Sequence, residues 1–265
     1  MTRPIGLGHF TFLDLPPAEL VRLARRSGFD FVGLRFHPVS SGALNWLPDA
    51  PGLRELARVM DGEGIGLYDI ETVVIDETLE PESLVPAMEA AKALGAKRVN
   101  VCADVFPALA ETFARISALA TARGLGLDLE CMAWRGINTP RACLDLIAAS
   151  GATGAAYLAD ALHHSRCGGV STDIAAIPAG MVVSAQLCDA PATAPSGNSA
   201  LLAEARGGRL LPGEGGLDLA GFVRALPAAA AVSVEIPSAS DARPPLERAR
   251  AIFSAASALF APETA

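Results

Sequence analysis

Gly124-Leu-Gly-Leu-Asp-Leu-Glu-Cys-Met-Ala-Trp134 is the stretch whose reading decides the fold. It opens on a turn glycine after a helical segment, runs through alternating leucines and stops at Glu130. An apolar run of this length following a helix reads as a buried parallel strand. Its closing carboxylate stands where buried strand gives way to loop. Three further strand-like runs end in a group that can bind a metal through oxygen: Tyr157-Leu-Ala-Asp160, Val182-Val-Ser-Ala-Gln186 and Val232-Ser-Val-Glu235.

Working outward, the same alternation of strand and helix repeats on both sides. Upstream, strands are expected over residues 5–10, 29–36, 65–74 and 97–102, with helices over 17–27, 52–61, 81–94 and 107–123. Prolines stand at the start of the first helix and Gly28 at its end, as helix termini require. Downstream, strands are expected over 154–160, 181–188 and 231–236. Helices are expected over 139–149, from about 172, over 218–225 and over 245–260, with Thr139 as an N-cap before Pro140. A polar stretch over 189–216, rich in Gly, Ser and Pro, exceeds ordinary connection length and is expected to fold over the site as a lid. Eight strand–helix units of roughly 30 residues fit a single α/β domain, a (β/α)8 TIM barrel spanning residues 1–265. A doubly wound open sheet would place a glycine fingerprint after its first strand, and none is there.

Bulk properties narrow the function. The chain has 265 residues, 51% of them hydrophobic, and a mean hydropathy of +0.35. No uninterrupted apolar run of about 18 residues is present to span a bilayer. The first fifteen residues lack an apolar leader segment, so a soluble, cytoplasmic protein with no membrane partner is expected. A net charge of −8 argues against nucleic acid as the main partner. Five cysteines without a C-x-x-C pair read as buried small hydrophobes in a reducing compartment, and no thiolate zinc site is expected.

In a TIM barrel the site lies at the carboxyl ends of the strands. Glu130, Asp160, Gln186 and Glu235 close strands five to eight and surround one half of the mouth. Three carboxylates gathered there would repel and hold protons unless a cation were present. The set is entirely oxygen, which favours Mg²⁺ or Mn²⁺ over Co²⁺ or Zn²⁺. Asp189 is expected to anchor the loop and His164 to hold a loop carbonyl. His9, Arg35, His37 and Glu71 lie across the mouth as candidates for substrate choice, with a packed core role equally open to His9. Trp134 and Trp46 either form an apolar wall at the mouth or cover helix ends. Glycines 207, 208, 213, 215 and 216 give a weak signal for a phosphate cradle.

Leu129-Glu130-Cys-Met, Asp160-Ala-Leu-His163, Gln186-Leu-Cys-Asp189, Arg209-Leu-Leu-Pro-Gly213-Glu-Gly215 and Val234-Glu235-Ile-Pro, in this order, resemble the sugar phosphate isomerase/epimerase family. These are xylose-isomerase-like TIM barrels that include D-tagatose 3-epimerase. The resemblance covers the second half in ordered motifs and the first half in general pattern. It implies metal ligation by Glu130, Asp160, the residue at 186 and Glu235, with Glu130 and Glu235 as the acid/base pair. It also implies substrate contacts from His163 and Arg209. Gln186 departs from the family, which usually places histidine there. The implied activity is isomerisation or epimerisation of a sugar, keto-sugar or polyol derivative, by proton abstraction beside a carbonyl with one divalent metal ion. Two alternatives use the same residues: a metal-dependent dehydratase or lyase on a keto-inositol or shikimate-like compound, and a non-catalytic sugar-binding homologue. An apurinic-site endonuclease would need a histidine-rich zinc cluster, against which four histidines and the net charge speak. Such barrels are often homo-oligomers.

Overall fold

In the computed structural model, which describes residues 3–261, eight parallel strands close into one barrel in chain order and the last bonds back to the first. The elements are β1 (Ile5–Leu7), α1 (Pro17–Ser27), β2 (Phe31–Leu34), α2 (Ala50–Glu63), β3 (Gly66–Ile75), α3 (Val85–Ala93), β4 (Arg98–Ala103), α4 (Leu109–Thr121) and β5 (Gly126–Leu129). They continue with α5 (Pro140–Ser150), β6 (Ala155–Asp160), α6 (Ala161–Arg166), α7 (Ser171–Ala176), β7 (Val182–Leu187), α8 (Asn198–Gly207), α9 (Leu219–Ala225), β8 (Ala231–Val234) and α10 (Pro245–Ala258). Among the described residues no helix is long and apolar enough to cross a membrane.

The barrel follows from alternation along each strand, because successive side chains point to opposite faces of a sheet. In β5, Leu127 and Leu129 pack in the hydrophobic core while Asp128 and the following Glu130 take the opposite parity. Ser184 of β7 donates to Asp128 of β5 with β6 lying between those two strands, so this parity faces the barrel lumen. Arg98 of β4 also pairs with Asp128. The same parity runs Asp69 to Glu71 in β3, Ser184 to Gln186 in β7 and Ser233 to Glu235 through β8. The lumen is therefore a polar column that rises to the mouth, wrapped by an apolar layer between strands and helices.

Helix ends follow their local chemistry. Asp49 caps α2 by accepting from the Gly52 amide at 2.8 Å, and Thr139 caps α5 by accepting from Ala142 at 3.0 Å. The helix expected over 81–94 begins instead as a 3-10 turn, Pro81–Leu84, and becomes α-helical at Val85. Pro86 has no N–H to give to the preceding turn, so the α ladder starts around it. The expected first strand stops at Leu7, because residues His9–Phe12 wind into a 3-10 turn. The long stretch 189–216 is not structureless: after Pro191 to Gly197 the helix-forming run beginning at Asn198 makes α8. The Arg166–Glu204 ion pair at 2.7 Å docks α8 against α6.

His9 is wholly buried and ties the end of β1 to the end of β2. Its Nδ1 accepts from the Arg35 amide at 3.0 Å and its Nε2 donates to the Leu15 carbonyl at 2.9 Å. The packed role is the one it fills. Burial pushes its pKa down to about 4 against the opposing pull of the Leu15 carbonyl. Between this value and the ordinary histidine range the unfolded chain binds the proton and the folded one does not. The folded state thus loses stability as pH falls through that window, by up to ~3 kcal/mol for this group. Urea midpoints measured from pH 7 to pH 4.5 should fall less steeply in His9→Gln than in the wild type. Equal slopes would remove His9 from the acid sensitivity of the fold.

Candidate active site

The four strand-end residues arrive at the mouth from consecutive strands. Asp160 and Gln186 are registered partners, as are Gln186 and Ser233. The amide of Glu130 donates to the Val101 carbonyl at 2.8 Å and that of Glu235 to Leu187 at 3.1 Å, so each carboxylate leaves directly from the sheet. Asp160 also caps α6, its Oδ1 accepting from the His163 amide at 2.8 Å. That bond fixes the Asp-x-x-His spacing and turns His163 back toward its own capping residue.

Arg209 gathers these groups. It is 1% exposed, and its Nη1 donates to Asp160 Oδ2 at 2.7 Å and to the Glu235 carbonyl at 3.1 Å. Its Nη2 lies 2.9 Å from Glu235 Oε2 and 3.1 Å from His163 Nε2. Gln186 completes the set from below, its Nε2 3.4 Å from Glu235 Oε1. In that orientation Gln186 presents its amide nitrogen, and ligation through its carbonyl oxygen requires the amide to turn over.

Burial and charge set the protonation pattern. Burial raises Asp160, but Arg209 and His163 outweigh it and hold the carboxyl below the usual range. Burial, reinforced by the charges of Asp160 and Glu235, pushes Glu130 well above the ordinary carboxylate value. Burial raises Glu235 to about 7, with Arg209 opposing. Burial lowers His163 to about 4, so its Nε2 accepts from Arg209 as a neutral ring.

Glu130, Asp160 and His163 each bring one ligand atom within 4.8 Å of the others. Oε1 of Glu130 is buried with no hydrogen-bond donor. A buried carboxylate oxygen lacking a donor, beside a second carboxylate and an imidazole, is a donor set that fits a divalent cation. The geometry thus adds His163 to the candidate ligands, whereas the sequence reading assigned it to substrate.

Beside this cluster opens a cavity of about 230 Å³. Glu130, Glu235, His163 and Arg209 line its floor, and Phe10, Met132 and Trp134 its apolar walls. Trp134 meets His163 edge to face at 5.2 Å. Larger hollows occur on the outer helical layer, one of about 480 Å³ between α5 and α7, but none holds a cluster of buried acids. Other expected residues fall elsewhere. Glu71 lies below the floor, its Oε1 accepting from the Phe10 amide at 2.7 Å, and half-buried His37 is outside the cavity lining. Trp46 donates to the Leu13 carbonyl at 2.9 Å, away from the cavity. His164 holds the Val170 carbonyl at 3.0 Å, the part expected of it. Arg135 joins the lining without any sequence motif to announce it.

The chain matches the model of the xylose isomerase-like TIM barrel family over residues 21–256. It belongs to that family. Among curated relatives, 3-dehydroshikimate dehydratase of Pseudomonas aeruginosa is 34% identical over 128 residues, 47% of this chain. The match spans 20% of the length of that relative. Among solved structures, the IOLI protein with a binding zinc atom superposes with a TM-score of 0.79 at 16% identity, covering 98% of each chain. The 3-keto-D-glucoside 4-epimerase of E. coli superposes with a TM-score of 0.71 at 15% identity, covering 95% of this chain and 98% of that one. At such identities these likenesses show the shared barrel.

Within this xylose isomerase-like barrel the glycine-rich segment has a structural occupant. The Asp189 carboxylate accepts from the amides of Gly213 at 2.9 Å, Gly215 at 3.0 Å and Leu217 at 3.1 Å. A Cβ at Gly215 would lie 2.4 Å from both Asp189 Oδ1 and the Ala190 carbonyl, which is why glycine stands there. The anion cradle suggested by the glycines is thus filled by the protein's own carboxylate, and no phosphate site remains in it. The antiparallel bridge from Asp189 to Leu210 then sets Arg209 facing the acids. Asp189→Ala should cost on the order of 3 kcal/mol of stability through the orphaned amides. It should also open the 189–216 segment to limited proteolysis, and an unchanged digestion pattern would sink the anchoring role.

Proposed function

We propose that the protein is a divalent-metal-dependent isomerase or epimerase of a keto-sugar or polyol derivative. The observation that carries this reading is the pair Glu130 and Glu235. They rise from the ends of β5 and β8 into one small-molecule cavity, both buried, with Glu130 raised well above the usual carboxylate range and Glu235 raised to about 7. Two buried carboxyl groups in one cavity, each with its pKa raised, suit proton removal and return beside a carbonyl.

Glu130, Asp160, His163 and Glu235 would hold the ion, with the Gln186 carbonyl oxygen available as a further ligand. The three carboxylates and the amide favour Mn²⁺ or Mg²⁺. When bound, such an ion supplies Lewis-acid polarisation of a substrate carbonyl. Glu235, near neutrality, serves as the base that takes the proton from the carbon next to the carbonyl. Glu130 is the second carboxyl group of the pair and returns a proton, giving epimerisation at the same carbon or isomerisation at the adjacent one. Arg209 orients substrate oxygen and keeps Asp160 ionised, and Trp134 shields the sugar face from water. The structural neighbour 3-keto-D-glucoside 4-epimerase supports this reading.

A second reading has its own support in the identity to 3-dehydroshikimate dehydratase. Removal of the same proton followed by loss of a β-hydroxyl as water would make the enzyme a dehydratase. The residues of both outcomes are the same, and the product distinguishes them.

With metal restored, incubation of a panel of ketoses and keto-polyols in deuterium oxide should exchange one carbon-bound hydrogen in a substrate. Glu130→Gln and Glu235→Gln should each lower exchange at least ~10³-fold, as expected for an essential acid or base, while melting temperatures hold. Exchange at the wild-type rate in either variant would remove that residue from proton transfer. Asp160→Asn should lower the metal content measured by elemental analysis, and full occupancy in it would displace Asp160 from the ligand set.

A further inference from the structure

Arg35 stands immediately after β2, and its side chain lines the cavity opposite the acid cluster. It is 4% exposed. Its backbone is pinned on both sides, the amide donating to His9 Nδ1 at 3.0 Å and the carbonyl accepting from Trp46 at 2.8 Å. Its Cζ sits 4.8 Å from the centroid of the Phe10 ring, a contact that fixes the guanidinium without using a donor. Among the described residues the side chain makes no ion pair and no hydrogen bond, and its Nε is buried without an acceptor.

This differs from Arg209 and Arg135, which line the same cavity. Arg209 is shared between Asp160 and Glu235, and Arg135 pairs with Asp104 at 2.7 Å. The acids that feel the charge of Arg35, Glu71 and Glu235, do not pair with it. A guanidinium withdrawn from water without an acceptor is unfavourable, and its five donors form a fork shaped for a planar or tetrahedral oxyanion. Arg206, exposed at the rim of the same cavity and without an ion pair among the described residues, adds a second positive charge on the approach. Among the described residues the cavity therefore has two unpaired cations beside the acid cluster.

We propose that Arg35 is the receptor for an oxyanion, a carboxylate or a phosphate, carried by the substrate. The substrate is then an acidic keto-polyol and not a neutral sugar. Its anionic group rests on Arg35, and its reacting carbon lies toward Glu130 and Glu235. This rests on the proposed function only in taking this cavity as the substrate pocket.

The test is calorimetric titration of the metal-loaded protein with two matched pairs: D-gluconate against D-glucitol, and D-fructose 6-phosphate against D-fructose. At least one anion should bind ~10–100-fold more tightly than its neutral twin, the range for a charge-assisted contact. Whichever pair shows the preference identifies carboxylate or phosphate. In Arg35→Gln that ratio should collapse toward one, and Arg35→Lys should keep part of it. Equal binding of both pairs in the wild type overturns the proposal. So does a preference that survives Arg35→Gln, since the anion would then rest on the metal or on Arg206. If Arg35→Gln does not fold, the wild-type ratio and its reduction in Arg35→Lys decide. Because these are binding ratios, they stand or fall apart from the deuterium exchange that tests proton transfer.

Discussion

The constraint on which the site depends is the burial of several carboxyl groups at the top of one polar column, with the guanidinium of Arg209 set between them. Removing a carboxylate from water costs several kcal/mol unless charge or donors compensate. Arg209 provides that compensation to Asp160 and Glu235 at once, while Glu130 is left with an oxygen that no donor reaches. The imbalance sets the three acids apart from one another. Asp160 is held below the usual carboxylate range, Glu235 is raised to about 7 and Glu130 is raised well above its ordinary value, all within a single rim.

Arg209 holds this position mainly because of residues outside the cavity lining. Asp189 closes the glycine-rich turn on its own carboxylate, and the bridge to Leu210 fixes the preceding side chain. The ion pair of Arg166 with Glu204 seats α8 behind it, and the Arg209 Nε returns to the Ala205 carbonyl at 3.1 Å. The segment over the mouth is thus a built cover. Acids on rigid strand ends and a gathering arginine on an anchored loop divide the labour that preorganisation requires.

The opposite half of the mouth follows a different logic. There His9 links two strand ends, and Glu71 closes on the Phe10 amide beneath the floor. What remains turned to the cavity is the guanidinium of Arg35 on its aromatic support. An acid-rich side suited to moving protons faces a basic side suited to holding an anion. A cavity with both can orient a small acidic molecule along one axis.

The sequence by itself determined the barrel, the strand ends and the identity of the acids, because these depend on local periodicity. A leucine alternation ending in Glu130, repeated with Asp160, Gln186 and Glu235, states both the strand and its terminal polar group. It also carried the loop role of Asp189 and the carbonyl contact of His164. Only the tertiary structure decided which side chains meet. That His163 joins the acids, that Glu71 and His37 stay out of the cavity lining, and that the glycine cradle is occupied are outcomes of packing between distant segments. So is the solitary state of Arg35. A side chain's partners are set by distances across the barrel, which no spacing along the chain encodes.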